Sequence, residues 1–242
     1  MALIDTSNLA FRLARYINFY RVLGSDRRPT DLEQAIDFCV DSPILLSQVR
    51  SEIVELGRLL QASPPRRSLE IGTNYGGTLF LLSTLSDPHA KIISVDLPSG
   101  PFGGGYPLRK IPLFRKFPRE GQQLHLIRAD SHRPETLDRV TKILDGDKLD
   151  YLFIDADHTY HGVESDFRMY SPLVRSGGIV AFHDIVTYDN HTKSEVSRFW
   201  NETKHRYHYL EFVEGLTNGS LPIAVTGSPM DTSGIGVLFI RS

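Results

Sequence analysis

Short apolar runs rich in β-branched residues alternate with helix-like segments along most of this 242-residue chain. Helix-like segments at 77–86, 134–144 and 160–174 fall between most of the runs, which lie at 68–71, 91–95, 124–128, 149–154 and 178–182. Strands that alternate with helices fold as right-handed βαβ units, which build a mostly parallel sheet with helices on both faces. The pattern therefore predicts an α/β fold with a doubly wound sheet, and the chain is long enough for one such domain.

Helical patterns precede the alternating region. Apolar stripes predict helices over residues 7–22 and 43–61, the second with Pro43 in its first turn. Residues 1–62 are therefore expected to form an N-terminal helical extension to a main domain over 63–242, and its helices could support a homodimer. At the other end, we expect a helix near 194–204 and two strands, 207–213 and 234–242, that could pair antiparallel.

The composition of the chain limits the kinds of partner and site that it can have. Lys plus Arg number 27 and Asp plus Glu 29, which gives a net charge of −2 and no basic footprint for nucleic acid. Cys39 is the only cysteine, so neither an intrachain disulfide nor a cysteine-based metal site is expected, in keeping with a cytoplasmic setting. The first 20 residues are interrupted by Asp5, Arg12 and Arg15, so no membrane segment is predicted there.

A glycine-rich turn follows the first strand of the main domain. Gly72, Gly76 and Gly77 allow backbone N–H groups to approach a ligand at the start of a helix. A dinucleotide fingerprint would have a second glycine where this chain has Thr73-Asn74, which disfavours a nicotinamide-dependent oxidoreductase. The strand also ends in Glu70, whose carboxylate favours a ligand that carries an ammonium.

Acidic residues end three successive strands. Asp96 lies where a carboxylate can bind both ribose hydroxyls, and Asp130 could accept a hydrogen bond from an adenine amino group. Together with Glu70, these positions fit a ligand that has an amine, a ribose and an adenine. S-adenosylmethionine has all three.

The ordered motifs "LEIGTNYGGT", "ISVD", "RADS" and "LDYLFIDADHTYHGVESDFRMYSPLVRSGGIVAFHDI", with a terminal "GIGVLF", resemble a class I S-adenosylmethionine-dependent methyltransferase. The closest resemblance is to cephalosporin-hydroxylase-like and sugar O-methyltransferase-like members, over roughly residues 66–242. The resemblance implies a Rossmann-like, seven-stranded sheet whose last strand is antiparallel. It identifies these cofactor-binding residues: Glu70, Gly72, Asn74, Tyr75, Gly76, Asp96, Asp130, Ser131 and Asp155.

Carboxylates and imidazoles follow the fourth and fifth strands. Because neighbouring parallel strands end at one crevice, Asp155, His183 and Asp184 are expected to converge as ligands of a divalent metal such as Mg, Mn, Fe or Zn. The resemblance places an Asp at 155 and an acidic or Asn pair at 183–184, from which His183 departs. His158 stands where related enzymes have a basic side chain and is the expected general base, beside Asp155 as the second catalytic residue. His183 as a structural histidine and no metal at all remain alternatives.

A long loop, residues 97–121, combines prolines, glycines and basic side chains, and we expect it to act as a lid. The favoured function is S-adenosylmethionine-dependent O-methylation of a small hydroxylated acceptor, such as a sugar or secondary metabolite, without nucleic-acid or membrane partners. An anionic acceptor is a further alternative suggested by the basic residues of this loop. Two rivals remain: a metal-dependent hydroxylase on the same fold, and a non-catalytic nucleoside-binding protein.

Overall fold

The computed structural model describes residues 6–40, 42–187, 194–214 and 232–241. Its centre is one seven-stranded sheet with the order β3-β2-β1-β4-β5-β7-β6. The strands are β1 (Arg67–Ile71), β2 (Lys91–Asp96), β3 (Gln123–Arg128), β4 (Leu149–Ile154), β5 (Val174–Thr187), β6 (His208–Phe212) and β7 (Thr232–Phe239). The first five strands pair in parallel, and β7 runs antiparallel to both β5 and β6. The predicted fold class, with an antiparallel last strand, is therefore confirmed.

Helices cover both faces of the sheet. They are α1 (Thr6–Leu23), α2 (Leu32–Val40), α3 (Arg50–Ala62), α4 (Gly77–Leu85), α5 (Ile111–Phe114), α6 (Pro134–Leu144), α7 (Tyr160–Tyr170) and α8 (Val196–Thr203). One apolar core lies on the face that packs against α2, α3 and α4, and includes Phe80 and Phe117. The other lies under α6, α7 and α8 and includes Trp200, which is 1% exposed. No helix in the described ranges is both long enough and apolar enough to span a bilayer.

The N-terminal part differs from the sequence prediction. The predicted helix over 43–61 begins only at Arg50, and α2 was not predicted. A turn at Ser42-Pro43 explains the difference, because the Ser42 hydroxyl donates to the carbonyl oxygens of Cys39 (3.1 Å) and Ile44 (2.9 Å). Residues 44–49 therefore run as an irregular segment between the two helices.

The order of the strands indicates where on the sheet a ligand can bind. Chain connections move outward in one direction from β1 to β2 and β3, and in the other direction from β4 to β5. The reversal between β1 and β4 is a topological switch point, where open α/β sheets bind ligands at the carboxyl ends of the strands. Most of the segment 214–233, between β6 and β7, lies outside the described residues.

Candidate active site

A cleft of about 760 Å³ opens at this switch point. Its walls come from the ends of β1 to β5, the start of the 97–121 loop and the irregular segment before α3. Of the predicted cofactor-binding residues, those in its lining are Gly72, Asn74, Tyr75, Asp96, Asp130, Ser131 and Asp155. His158, His183 and Asp184 line it as well. The structure therefore brings nearly all of the predicted site residues to one cavity.

The glycine turn is tightly surrounded by backbone. Gly72 has φ +94°, and a Cβ there would lie 1.9 Å from the Asp155 carbonyl oxygen. A Cβ on Gly77, the first residue of α4, would lie 2.5 Å from the carbonyl oxygen of Leu45. The glycines thus let three chain segments approach one another at the start of a helix whose N–H groups face the cleft. Gly76 contributes differently, since its Cβ would meet the Phe114 ring of α5 at 2.5 Å.

Glu70 lies beneath the cleft rather than in its lining. Its side chain is 1% exposed and accepts a hydrogen bond from the Thr73 hydroxyl at 2.8 Å. Burial raises the pKa of Glu70 to about 8, although hydrogen bonds from Thr78 and Thr73 oppose the shift. The buried carboxyl supports the turn's shape, and its raised pKa disfavours the charge that would attract a ligand's ammonium. The sequence argument that gave Glu70 this charge therefore does not hold in this structure.

Asp96 ties the glycine turn to the start of the long loop. Its Oδ2 accepts from the backbone N–H of Asn74 at 3.1 Å and of Tyr106 at 2.9 Å. Burial raises the pKa of Asp96, against the opposing effect of these backbone donors. One carboxylate oxygen is thus committed to backbone amides, while the residue still borders the cleft.

The end of β3 forms the far wall. Asp130 accepts from the backbone N–H of His132 at 2.9 Å, and the Tyr170 hydroxyl donates to the Ser131 carbonyl oxygen at 2.7 Å. The His132 ring lies 3.4 Å from the fully buried carboxylate of Asp166. A hydrogen bond to Asp166 raises the pKa of His132 to about 9, although burial works against it. This wall therefore carries a protonated histidine beside the position predicted to receive the adenine.

Two carboxylates and two imidazoles meet at the ends of β4 and β5. His183 Nδ1 lies 3.4 Å from Asp155 Oδ1 and 3.0 Å from Asp184 Oδ1. His158 also faces both carboxylates, with Nδ1 3.3 Å from Asp184 and Nε2 3.7 Å from Asp155. Asp184 has φ +61° beside a register shift between β5 and β7, so a bulge turns its carboxylate toward the cleft.

The charges of this cluster determine its protonation. Burial disfavours a charged His183, but Asp155 and Asp184 outweigh burial and raise its pKa well above the ordinary value. The same carboxylates raise the pKa of His158, again against burial. Burial would raise the pKa of Asp155, yet the two imidazoles hold it well below its usual range. Without a bound cation, the two carboxylates therefore favour the protonated form of both histidines, and only neutral His158 can act as a base.

The cluster also has the geometry of a metal site, with one change from the sequence prediction. Among the described residues, ligand atoms of Asp155, His158 and Asp184 lie within 4.8 Å of one another. His158 thus joins the two predicted carboxylates, and the predicted His183 also lies within 3.4 Å of both of them. Carboxylate oxygens and one imidazole suit Mg, Mn, Fe or Zn, so the residues present fit a divalent cation.

Loop 97–121 reaches across both parts of the cleft. The Phe102 ring stacks on His158 with centroids 4.9 Å apart. Further along, Lys110 Nζ donates to the Tyr75 carbonyl oxygen at 3.0 Å and lies 4.6 Å from the centre of the Tyr75 ring. Burial lowers the pKa of Lys110 to about 8, with Arg109 adding to the effect. The loop is thus a wall of the cleft that contacts the glycine turn at one end and the charged cluster at the other.

Residues just before α3 complete the wall of the cleft. The sequence analysis did not predict this contribution. Gln48 Nε2 donates to Asp155 Oδ2 at 2.9 Å, and Leu45 and Ser47 also line the cavity. The segment carries no motif, and 107 residues separate Gln48 from Asp155. No local signal separated this segment from the predicted helix, because Pro43 is as compatible with the first turn of a helix as with the turn observed.

The sequence matches known proteins over its central part. Residues 69–185 match a family model described as a methyltransferase domain. An uncharacterised protein of Acanthamoeba polyphaga mimivirus is 32% identical over 120 residues, which is 50% of this chain and 52% of that protein. An uncharacterised protein of Sinorhizobium fredii is 27% identical over 129 residues, or 52% of this chain and 14% of that protein. The chain thus spans about half of one relative and much less of the other.

Solved structures match over nearly the whole chain. An O-methyltransferase from Bacillus cereus in complex with S-adenosylhomocysteine has a TM-score of 0.58 and 16% identity, covering 95% of this chain and 99% of that one. TomG, an O-methyltransferase from Streptomyces achromogenes in complex with S-adenosylmethionine, has a TM-score of 0.53 and 16% identity. The match covers 96% of this chain and 99% of that one. At these identities the likeness shows a shared fold.

Proposed function

We propose that this chain transfers a methyl group from S-adenosylmethionine to an oxygen of a small acceptor, on the premise that its residues 69–185 are a methyltransferase domain. One observation carries the proposal: the glycine turn, the strand-end carboxylates Asp96 and Asp130, and the Asp155 cluster all open into one cleft at the switch point. The solved O-methyltransferases of the same fold, with S-adenosylmethionine or its product bound, support the choice of cofactor.

The cofactor is assigned along the strand ends. Asp96 lies on β2, beside the turn, and its remaining carboxylate oxygen would receive a ribose hydroxyl. Asp130 and Ser131, at the end of β3, would border the adenine. Gly72, Asn74 and Tyr75 would surround the amino-acid portion above the N-terminus of α4. This order leaves Asp155 between the sulfonium and the acceptor.

The charged cluster is assigned to the acceptor. Methyl transfer requires that the acceptor oxygen lie in line with the methyl group and lose its proton. A divalent cation held by Asp155, His158 and Asp184 would lower the pKa of an acceptor hydroxyl. In the absence of a cation, His158 is the candidate base only in its neutral form. The paired carboxylates hold the two imidazoles in place and orient them toward the cavity.

The metal trio also weighs against the rival hydroxylase. Non-haem iron oxygenases use two histidines and one carboxylate, with open positions for oxygen. The cluster here has one carboxylate more than that set, because Asp155 and Asp184 accompany the imidazoles of His158 and His183. This donor set favours a hard cation that binds a hydroxylated acceptor, such as a sugar or secondary metabolite.

Two further proposals concern the chain as a whole. Residues 1–62 are assigned as an extension of the 63–242 domain, and the wall contributed by Leu45, Ser47 and Gln48 gives this extension a part in the site. A homodimer through its helices remains our proposal, and the sedimentation velocity of the purified protein would test it.

Calorimetric titration with S-adenosylhomocysteine tests the proposed function. We expect micromolar binding by the wild-type protein, a loss of at least tenfold for Asp96→Ala, and no binding of NAD. The matched control is Asp138→Ala, because Asp138 is an exposed carboxylate on α6, away from the cleft. Absence of binding by the wild-type protein, with or without added Mg²⁺, would overturn the proposal.

A further inference from the structure

The charged side chains that line the cleft are carboxylates and the imidazoles of three histidines. The carboxylates are Asp96, Asp130, Asp155, Asp157 and Asp184. Among the described residues, no lysine or arginine side chain lines the cavity. Outside the described ranges, Lys193 is the only lysine or arginine in the sequence. An anionic acceptor would therefore find carboxylates in the described walls and no lysine or arginine to pair with.

The basic side chains of loop 97–121 do not reach the cleft. Lys110 is buried, and its Nζ donates to the Tyr75 carbonyl oxygen at 3.0 Å. Arg119 donates from Nη2 to the Ser86 carbonyl oxygen at 2.9 Å, at the opposite end of α4 from the glycine turn. The exposed basic residues that do not line the cavity are Arg109, Arg115 and Lys116. The anionic acceptor that the composition of this loop suggested therefore loses its support.

Large apolar side chains, in contrast, are exposed in the cleft. Leu45, Tyr75 and Leu97 are 47%, 46% and 41% exposed, and all three line the cavity. Phe102 lines it as well. Exposed apolar side chains that gather in a cleft mark surface that a ligand covers. Because Tyr75 lies in the glycine turn and Leu97 directly follows Asp96, these two belong to the half assigned to the cofactor. Leu45 and Phe102 remain for the acceptor.

Leu45 and Phe102 come from two separate segments that both adjoin the charged cluster. The Phe102 ring stacks on His158, with ring centroids 4.9 Å apart. Leu45 belongs to the segment before α3, in which Gln48 donates to Asp155 at 2.9 Å. Asp155 and His158 themselves lie 3.7 Å apart. An acceptor whose hydroxyl reached this cluster would therefore place its neighbouring atoms beside apolar surface.

We propose that the acceptor is an uncharged molecule that carries an apolar body, such as an aryl ring, next to its reacting hydroxyl. Contact of that body with Leu45 and Phe102 would remove apolar surface of both partners from water. A phosphorylated or nucleotide-linked sugar would instead bury a phosphate beside carboxylates, with no lysine or arginine from the described walls to pair with it. This inference rests on the proposed function, because it presumes that the cluster receives a methyl acceptor.

The test compares three probes that share one sugar ring: phenyl β-glucoside, methyl β-glucoside and glucose 6-phosphate. Each is titrated calorimetrically into protein loaded with S-adenosylhomocysteine, once with Mg²⁺ and once with a chelator. Leu45→Asn replaces one apolar wall with a polar side chain of similar size. Val40→Asn is the matched control, because Val40 is 58% exposed and does not line the cavity. Phe102→Ala removes the second wall and serves as the main variant if Leu45→Asn lowers the melting temperature.

We expect the wild-type protein to bind phenyl β-glucoside about tenfold more tightly than methyl β-glucoside, and glucose 6-phosphate more weakly than either. Leu45→Asn should reduce the preference for the phenyl group to about threefold or less, and Val40→Asn should leave it unchanged.

Equal binding of the two glucosides, or tighter binding of glucose 6-phosphate, would overturn the proposal. A phenyl preference that survived both Leu45→Asn and Phe102→Ala would overturn it too, as would failure of all three probes to bind a protein that binds S-adenosylhomocysteine. If the wild-type protein did not bind S-adenosylhomocysteine, the proposed function itself would fail.

Discussion

The two halves of the cleft are lined by different chemical groups. Over β1, β2 and β3, the cofactor half consists mainly of backbone: a glycine turn, the N-terminus of α4, and Asp96 bound to backbone N–H groups. Over β4 and β5, the half that we assign to the acceptor consists of four ionisable side chains, Asp155, His158, His183 and Asp184, with each imidazole within 4 Å of both carboxylates. The backbone groups of the glycine turn do not titrate, whereas the cluster depends on its balance of charge.

This difference explains how each half can serve its substrate. A cofactor shared by many enzymes needs a fixed cradle, and glycines at positive φ provide one. An acceptor that must lose a proton needs groups whose charge responds to what is bound. The predictions below perturb one half at a time.

The largest effect is expected in the acceptor half. His183 is 7% exposed and faces both Asp155 and Asp184. His183→Leu would leave these buried carboxylates without one of their cations, so we expect the free energy of unfolding to fall by about 3–5 kcal/mol. Urea denaturation of both proteins at neutral pH, with a chelator present, measures this fall in the free energy of unfolding.

The control for this prediction is His161→Leu, because the His161 side chain is 92% exposed. It should change the free energy of unfolding by less than about 0.5 kcal/mol. If His183→Leu cost no more than this control, the charge balance would not be what stabilises the cluster.

The corresponding change in the cofactor half is Gly72→Ala. It places a Cβ 1.9 Å from the Asp155 carbonyl oxygen at a φ of +94°. We expect a loss of about 3 kcal/mol in the free energy of unfolding, together with loss of S-adenosylhomocysteine binding. Gly146→Ala is the control, since Gly146 has a similar φ of +84° with nothing within 4 Å of its Cβ. The free energy of unfolding of Gly146→Ala should fall by only about 1–2 kcal/mol. Equal losses in the two variants would show that close packing at Gly72 is unimportant.

A smaller effect is expected from pH, at the far wall of the cofactor half. The pKa of His132 is raised from 6.5 to about 9 by its hydrogen bond to Asp166. Because the folded state holds this proton more tightly, the resulting stability is complete below about pH 6.5 and is lost as pH rises through about 9. The expected contribution is about 2 kcal/mol, less than the full shift because solvent screens the partly exposed ring.

Chemical denaturation of the wild-type protein and of His132→Gln at several pH values measures this effect. The difference in free energy of unfolding between the two should shrink between pH 6.5 and pH 9. A difference that stays constant over that range would mean that His132 is not held as a cation, and the far wall would then be uncharged.

The smallest effect concerns the contact between the halves. Phe102, on the loop that starts beside Asp96, stacks on His158 of the acceptor half. Phe102→Ala should lower the free energy of unfolding by about 1 kcal/mol. Leu108→Ala, in the same loop with Leu108 65% exposed, should lower it by less than about 0.5 kcal/mol. A loss above about 2 kcal/mol would indicate that the two halves depend on each other for folding.

The difference between the two halves also decides how much of each half could be predicted from the sequence. The positions of the strands and the glycine turn were predicted because apolar β-branched runs and glycines act locally, and a family model described as a methyltransferase domain matches residues 69–185. The antiparallel pairing of β6 with β7 was predicted from their separation by a segment without helical pattern, and it is confirmed.

Spatial neighbours were harder to predict. The sequence could not show that His158 would face Asp155 and Asp184 together with His183, because ring orientation depends on packing. Nor could it show that Gln48 contacts Asp155, since no local pattern joins two residues 107 positions apart. Glu70 was assigned to the ligand because strand-end carboxylates usually face the cleft. Its side chain points instead to the buried side, where Thr73 binds it.

A crystal structure of the protein with S-adenosylhomocysteine tests most directly whether the two halves hold cofactor and acceptor as assigned. The account predicts the adenine beside Asp130 and Ser131, a ribose hydroxyl on Asp96, and the sulfur pointing at the Asp155–His158–Asp184 cluster. An adenosine bound at the β4 and β5 ends, or a sulfur directed away from the cluster, would contradict it.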